Sequence, residues 1–215
     1  VNYNAYSSYR QGVLTSGLSM SYSFDNFVLK SVTGYQNLDD RQAIDQDFTA
    51  EAKAFVIQTQ KQNQFSQELE MRSKDGKRFA WLNGLFGFYQ TGKRMVLYTT
   101  QKDYDEPSYG LAAYHESTLK DFLLKKLSLT VGARFDYEKA KQDYIVWKLS
   151  ADQKEQTTRL NDSESFTQFT PKVSLQYQFD ASNMIYATTT RGYKTGGFNI
   201  SFSTDDERTY SPEYS

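Results

Sequence analysis

Residues 166–199 read FTQFTPKVSLQYQFDASNMIYATTTRGYKTGGFN, and polarity alternates almost without interruption through the first half of this stretch. The apolar residues on one parity are Phe169, Pro171, Val173, Leu175, Tyr177 and Phe179. Because successive side chains of a strand point to opposite faces, this segment predicts a strand with one apolar and one polar face. Asp180, Ser182 and Asn183 are turn-forming residues, so residues 184–194 should return as the second strand of a hairpin.

The same alternation recurs along the rest of the chain. Residues 127–138 read LSLTVGARFDYE, where apolar residues alternate with serine, threonine, glycine and charged residues. The turn at Lys74-Asp75-Gly76-Lys77 is the clearest of the connections, because an Asp-Gly pair tolerates a positive φ. Together these patterns predict eight antiparallel strands of about 11–14 residues. Their predicted ranges are 12–24, 27–38, 62–73, 78–91, 108–119, 124–138, 166–179 and 184–194.

The segments between alternate strands are long and polar. Residues 39–61, 92–107, 139–165 and 199–210 are predicted to be loops, although part of the first could form a short helix or extend a strand. Short turns at one end of a sheet and long loops at the other are typical of a transmembrane barrel. Soluble sandwiches usually have shorter strands, of about 5–6 residues. We therefore predict an all-β, antiparallel, up-and-down transmembrane β-barrel.

Composition narrows the possible functions of the chain. The 215 residues carry a formal net charge of −1, which gives no reason to expect a nucleic-acid partner. The absence of cysteine excludes disulfides, zinc–thiolate sites and thiol catalysis. Aromatic residues make up 16 % of the chain, with 17 Tyr and 15 Phe, and this content fits a protein with aromatic interfaces and an aromatic-rich soluble β protein equally well. No apolar window is long enough for a transmembrane helix, whereas a barrel strand needs only alternating polarity.

Six segments, taken in order, resemble the β-barrel of TonB-dependent outer-membrane receptors. The receptors for siderophores and related small ligands are the most similar branch of that family. The matching segments are LKSVTGYQ (29–36), FSQELEMRS with WLNGLFGFY (65–73 and 81–89), LSLTVGARFDYE (127–138), FTPKVSLQYQF (169–179), MIYATTTRGYKTGGFN (184–199) and YSPE (210–213).

The resemblance implies a receptor with a plug domain inside a closed barrel of about 22 strands. Such a receptor imports a scarce small ligand, most often a ferric siderophore, through the bacterial outer membrane, and the TonB complex supplies the energy through the plug. No plug, signal peptide or terminal aromatic strand is recognisable, so we expect residues 1–215 to be a middle section of the barrel domain. No catalytic residue, cofactor or metal site is expected.

Two groups of residues are candidates for the site of such a receptor. The first group consists of charged residues on the polar strand faces. They could form a lumen wall that contacts the plug or the passing ligand, or they could form charge pairs with neighbouring strands. These residues are Glu68, Glu70, Arg72, Arg134, Asp136, Glu138, Lys172 and Lys194. Tyr98, Tyr104 and Tyr109 are candidates for ligand contacts in outer loops, with an aromatic girdle or loop packing as the alternative.

Two alternatives to a receptor stay open from the residues. One is a small closed eight-stranded barrel that acts as a passive pore or a lipid hydrolase, and the other is a soluble ligand-binding β domain. His115, Ser117 and Asp121 are the residues that a hydrolase would use. Positions i and i+2 share a strand face but are poorly placed to hydrogen bond, so we interpret these residues as a satisfied polar wall.

Overall fold

The computed structural model describes residues 5–47, 49–74, 76–151, 153–202 and 204–215, and most of them lie in one antiparallel sheet. The strands are hydrogen-bonded in the order β1-β2-β3-β4-β5-β7-β8-β9, and β6, like β5, lies between β4 and β7. The strands are β1 Ser8–Ser23, β2 Phe27–Asp45, β3 Phe55–Ser73, β4 Phe79–Leu97, β5 Thr100–Asp105, β6 Ser108–Leu119, β7 Leu127–Leu149, β8 Lys154–Gln178 and β9 Met184–Thr190.

β5 and β6 are two halves of one strand. Both pair with β4 on one side and with β7 on the other, and the register of each pairing continues across the break. The break falls at Glu106 and Pro107, because proline has no N–H to give to the ladder. The prediction of eight antiparallel strands is therefore confirmed, and β1 and β9 form the two edges of the described sheet.

The strands are longer than predicted at one end. The prediction of long loops is wrong for most residues of 39–61, 92–107 and 139–165, because β2, β3, β4, β5, β7 and β8 run through them. Only short connections remain there, such as Tyr98 and Thr99 between β4 and β5. In these extensions polar and apolar residues occur on both faces of the sheet, so the alternation that marks a strand in the sequence disappears while the backbone ladder continues.

The predicted turns lie at the opposite end. Asp180 closes the turn before β9 by accepting hydrogen bonds from the backbone N–H groups of Ser182 (2.8 Å) and Asn183 (2.9 Å). Gly76 has a φ of +87°, as the Asp-Gly turn requires, while Asp75 itself is outside the described residues. Among the described residues, no helix combines the length and apolar character that crossing a bilayer requires.

Alternation divides the sheet into an apolar and a polar face. On the apolar face, Met20, Leu69, Leu85, Phe135 and Phe169 are among the exposed large side chains. An aromatic row closes this face toward the strand extensions, because Tyr35, Phe65, Tyr89 and Tyr109 are in register across β2, β3, β4 and β6. A second aromatic group lies near the short turns and contains Tyr22, Phe24, Phe79, Trp81, Tyr177 and Phe179.

Residues 191–215, which we name the folded-back segment, leave the sheet after β9 and return along its polar face. Two short ladders hold the segment together, β10 (Tyr193–Lys194) with β13 (Glu213–Tyr214) and β11 (Gly197–Phe198) with β12 (Thr209–Tyr210). A 3₁₀ turn at Asp205–Glu207 lies between them. Contacts with β5, β7 and β8 fix the position of this segment, and they define the candidate site.

Candidate functional site

The polar face carries most of the residues that the sequence predicted for a lumen wall. Seven of the eight predicted residues occupy even positions of β3, β7 and β8, and cross-strand register places even positions of these strands on one face. The eighth, Lys194, lies in the folded-back segment. The charged residues of β3, β7 and β8 therefore share one face of the sheet, with aromatic and small residues of β4 and β6 between them.

A hydrogen-bonded network crosses the centre of this surface. The Tyr114 hydroxyl donates a hydrogen bond of 2.7 Å to Glu68 Oε1, which joins β6 to β3 across β4. On β7, Arg134 Nε donates to both carboxylate oxygens of Asp136, at 2.9 and 3.0 Å. The Arg134 guanidinium also lies 5.6 Å from the centre of the Tyr114 ring, within the range of a cation–π contact. Four side chains thereby connect three strands, β3, β6 and β7, across β4.

Two glycines make room for aromatic rings in this network. A Cβ at Gly84 would lie 1.9 Å from Cζ of Tyr114, so the Tyr114 ring rests directly on the backbone of β4. A Cβ at Gly110 would lie 2.4 Å from a ring carbon of Phe88 in the same way. Because Gly84 lets the Tyr114 ring lie over the backbone of β4, the Tyr114 hydroxyl can reach Glu68 from two strands away.

A second set of ion pairs lies nearer the short turns. Lys172 Nζ donates to Glu116 Oε2 at 2.6 Å, across β6, β7 and β8. Gly132 lies between them in register, and a Cβ there would lie 3.5 Å from Cβ and Cγ of Glu116. Arg72 approaches Glu70 at 4.0 Å on β3. Charge pairing, the alternative weighed from the sequence, thus accounts for several of the predicted residues.

The folded-back segment covers the network on its open side. Tyr193 lies beside Asp136, and Thr195 lies beside Glu138. Gly196 packs against Phe166, since a Cβ there would lie 2.5 Å from a ring carbon of Phe166. These contacts bring the segment close to β7 and β8 at the level of the central network.

Further along the segment, the predicted residue Lys194 forms contacts within the segment itself. Its Nζ is 3.9 Å from Glu213 Oε2 and 5.8 Å from the centre of the Tyr210 ring. Both partners belong to the returning half of the segment. Lys194 therefore holds the two halves together rather than lining the sheet.

The tip of the folded-back segment rests on a buried cluster in the strand extensions. The Tyr104 hydroxyl donates a hydrogen bond of 2.9 Å to the backbone carbonyl of Ile200. The centre of the Tyr144 ring lies 4.9 Å from the centre of the Tyr104 ring and 5.6 Å from the centre of the Phe202 ring. Burial raises the pKa of the Tyr104 hydroxyl, so it stays protonated and remains a donor.

Polar groups surround this pair of tyrosines. Arg94 forms an ion pair with Glu106, and its guanidinium lies 5.2 Å from the centre of the Tyr104 ring. Gln142, which is only 2 % exposed, donates to the other carboxylate oxygen of Glu106 at 2.9 Å. On β8, Asp162 Oδ2 forms an ion pair of 3.3 Å with Arg208 Nη2 of the folded-back segment. The tip is therefore held by hydrogen bonds, ring contacts and charge at once.

The three tyrosines predicted in outer loops lie in three different environments. Tyr98 is at a strand connection and donates to the backbone carbonyl of Lys53 at 3.1 Å. Tyr104 is in β5 and is buried, so its predicted loop position is wrong. Tyr109 is in β6, within the aromatic row of the apolar face, so a loop position is wrong for it as well. Whether any of them contacts a ligand stays a prediction.

Sequence reasoning missed several residues of the site. Tyr114 and Glu116 are on the polar parity of a predicted strand, so alternation could have found them. Arg94, Glu106 and Gln142 lie in segments that the sequence predicts to be loops, and no alternation marks them. Tertiary contacts alone reveal them.

His115 and Ser117 do hydrogen bond, contrary to the prediction from their spacing. His115 Nε2 lies 2.8 Å from Ser117 Oγ, and Nδ1 lies 2.8 Å from Asn83 Oδ1 on β4. Asp121 is elsewhere, accepting a hydrogen bond from the Lys126 backbone at 2.7 Å. The side chains of His115, Ser117 and Asn83 hydrogen bond to one another on the apolar face, where no other polar group is adjacent in register. Within the described residues, no group of three or more His, Asp or Glu side chains could hold a metal ion.

Comparison with known proteins identifies the fold and the family of this chain. The chain matches solved outer-membrane receptors over nearly its whole length while spanning about a third of theirs. The ferric yersiniabactin uptake receptor FyuA from Yersinia pestis is 20 % identical, with a TM-score of 0.76 over 97 % of this chain and 32 % of its own. The siderophore receptor PiuA from Acinetobacter baumannii is 11 % identical, with a TM-score of 0.66 over 97 % and 37 %.

A third solved structure agrees with these two. The closed form of the ferric-catecholate import receptor Fiu from E. coli K12 is 10 % identical, with a TM-score of 0.69 over 97 % of this chain and 37 % of its own. At these identities the likeness establishes the fold. The family described as TonB dependent receptor-like, beta-barrel, matches residues 1–215, and its members are transport receptors rather than enzymes. The chain therefore belongs to the TonB-dependent receptor β-barrel family.

Proposed function

We propose that this chain is part of an outer-membrane receptor that imports a ferric siderophore with energy from the TonB complex. The observation that carries the proposal is the charged polar face, covered by the folded-back segment and lined by Glu68, Tyr114, Arg134 and Asp136. A soluble domain would have to bury these charges in a core, at a large cost, whereas the interior of a barrel is polar. Family membership and the siderophore receptors among the solved neighbours support the same function.

The apolar face supports a place in a bilayer. On β4, Phe79 belongs to the aromatic group near the short turns and Tyr89 belongs to the aromatic row. The ten residues from one to the other span about 33 Å along the strand at about 3.3 Å per residue. A strand tilt of about 40° reduces this to about 25 Å, the height of the apolar band of an outer-membrane barrel. The two aromatic groups are then the girdles at the two interfaces.

The cluster in the strand extensions that contains Tyr104 and Tyr144 is the proposed place for ligand contact. In a bilayer position set by the two girdles, Tyr104, Tyr144 and Arg94 lie beyond the aromatic row, on the side of the strand extensions. Aromatic rings and an arginine offer stacking and charge to a ferric siderophore, which carries both flat rings or chelating oxygens and negative charge. Tyr98, at the connection between β4 and β5, is proposed as a further contact from the rim. The polar residues of the central network would then line the path below.

Uptake by the whole receptor tests this proposal. The complete gene product should restore uptake of ⁵⁵Fe-labelled siderophores in a bacterial strain that lacks its own receptors, and deletion of TonB should abolish that uptake. Arg94→Gln in the whole receptor should weaken siderophore binding by about tenfold, because it removes a charge from the cluster. Uptake that is independent of TonB would contradict active transport, and an absence of uptake across a broad panel of ferric siderophores would contradict the ligand class.

A further inference from the structure

Three polar side chains form a cluster on the apolar face, between the two aromatic groups. We name Asn83, His115 and Ser117 the polar trio. They have the same parity as the large apolar residues of β4 and β6, and His115 is exposed. On β4, Asn83 is four residues from Phe79 and six from Tyr89, or about 10 Å and about 15 Å along the membrane normal at a strand tilt of about 40°. The polar trio therefore lies near the middle of the bilayer, beyond the reach of water and lipid headgroups.

Hydrogen bonds within the polar trio leave the amide donors of Asn83 unused. The Asn83 side chain accepts a hydrogen bond of 2.8 Å at Oδ1 from His115 Nδ1, and His115 Nε2 pairs with Ser117 Oγ at 2.8 Å. Among the residues that the structure describes, none accepts a hydrogen bond from Asn83 Nδ2. An amide donor without an acceptor is costly in hydrocarbon. The two N–H groups of Asn83 therefore require an acceptor from another molecule.

A second amide on the same face is fully hydrogen-bonded within the sheet. Gln67 of β3 donates from Nε2 to Ser31 Oγ at 2.9 Å and to the backbone carbonyl of Glu68 at 3.1 Å. Its Oε1 accepts a hydrogen bond of 2.6 Å from Thr33 Oγ1. Neighbouring strands can therefore satisfy an amide on this face, and the unused donors of Asn83 distinguish the polar trio from this second group.

The surface around the polar trio allows another protein to approach closely. Ala133 is in register with His115, and Ala113 lies two residues before His115 on the same face, so small side chains border the trio. A groove of about 380 Å³ lies over β3 and β4, and its lining includes Leu85 and Asn83 itself. Small residues and hydrogen-bonding side chains are typical of protein contacts within a bilayer, because apolar contacts alone compete there with lipid.

We propose that the polar trio is the contact of a receptor dimer, in which a second copy supplies the acceptors for Asn83. Copies of one protein share depth and orientation in a bilayer, so a two-fold axis along the membrane normal brings one trio to the other. Each trio offers Ser117 Oγ and Asn83 Oδ1 as acceptors at the depth of the donors. The same axis places β7 of each copy over β3 and β4 of the other, so the exposed Val131 and Phe135 meet the groove. The inference rests on the bilayer position proposed above and does not depend on which ligand the receptor imports.

Cysteine cross-linking of the complete receptor in outer membranes tests the dimer. Residues 1–215 contain no cysteine, so Ala133→Cys places a single thiol beside the trio once any cysteine elsewhere in the receptor is replaced by serine. Oxidation should give a disulfide-linked species of twice the receptor mass. Leu18→Cys is the control, because Leu18 is exposed on the same face but lies on the distant strand β1. Equal dimer yields from the two variants, or an adduct of any other mass, would overturn the proposal.

Two further substitutions test the hydrogen bonds. In the Ala133→Cys receptor, Asn83→Leu should lower the dimer yield by about fivefold or more, because two symmetry-related hydrogen bonds are lost. Gln67→Leu removes an amide that the sheet already satisfies and should leave the yield unchanged; equal losses would overturn the proposal. Native mass spectrometry of the unmodified receptor in lipid nanodiscs should show the same dimer, and a monomer alone would also overturn it. Heat-modifiable mobility on gels verifies that each variant is folded, and ⁵⁵Fe uptake reports separately on transport.

Discussion

The Tyr104 hydroxyl donates a hydrogen bond of 2.9 Å to the carbonyl of Ile200, a residue 96 positions further along the chain. This bond joins a strand extension to the tip of the folded-back segment. It is one of few direct polar links between the sheet and the segment, and its donor is buried. The position of the segment on the polar face therefore depends on contacts between parts of the chain that are far apart in sequence.

Tyr104→Phe should loosen the tip of the folded-back segment. The variant keeps the ring contact with Tyr144 but removes a hydrogen bond that contributes about 1 kcal/mol, or about fivefold in an opening equilibrium. Amide hydrogen exchange in residues 199–202 should accelerate by about that factor. Tyr98→Phe is the control, because it also removes a tyrosine hydrogen bond, to Lys53, but at a distant connection. Unchanged exchange in Tyr104→Phe would mean that ring packing alone holds the tip.

Gly84→Ala should destabilise the barrel by about 1–3 kcal/mol. The new Cβ would lie 1.9 Å from Cζ of Tyr114, so the ring must move and its hydrogen bond to Glu68 must break. Urea unfolding of the complete receptor in detergent measures the change. Gly17→Ala is the matched control, because its Cβ would meet nothing closer than a backbone oxygen at 3.9 Å. Similar losses in the two variants would contradict a specific role for the ring over Gly84.

Protonation of Asp47 should release the connection between β2 and β3. Its carboxylate accepts hydrogen bonds from Thr49 Oγ1 at 2.7 Å and from the Ala54 backbone at 2.8 Å. Hydrogen bonding, chiefly from Thr49, lowers the pKa of Asp47. A lowered pKa means that the stabilisation is complete above the ordinary value of about 4 and is lost as pH falls through the lower, folded-state value.

Hydrogen exchange measured across this pH range tests the role of Asp47. After correction for the intrinsic pH dependence of exchange, the amides of residues 49–54 should be protected at pH 7 and lose protection below about pH 4. Asp47→Asn should show weaker protection that does not change with pH. Protection in the wild-type chain that stays constant down to pH 2 would show that the carboxylate is not what orders this connection.

Arg208 and Asp162 should be energetically coupled. Their ion pair of 3.3 Å connects the folded-back segment to β8, and the Arg208 side chain is only 15 % exposed. Arg208→Gln and Asp162→Asn should each destabilise the segment, and the double variant should lose less than the sum, with a coupling of about 1 kcal/mol. Hydrogen exchange of residues 204–210 gives the four values of the cycle. Additive losses would mean that the two charges act independently.

The alternation of residues 127–138 and 169–179 predicted both the strands and their faces, because the pleat of a strand imposes a period of two on any surface with one apolar side. The same rule placed Glu68, Arg134 and Lys172 on the polar face. It failed in the strand extensions, where Asp39 and Lys61 or Lys93 and Asp105 pair on the outer face and polar residues also line the inner one. Where both faces of a strand mix polar and apolar residues, the sequence shows no period of two.

The sequence by itself determined the eight strands, their two faces, the turns at one end and, through six ordered segments, the receptor family. These features follow from local rules of side-chain direction and turn chemistry. Only the tertiary structure decided that Tyr114 reaches Glu68 over Gly84 and that Tyr104 meets Ile200. Those relationships depend on register between strands and on contacts between distant residues, and no local pattern in the chain records either.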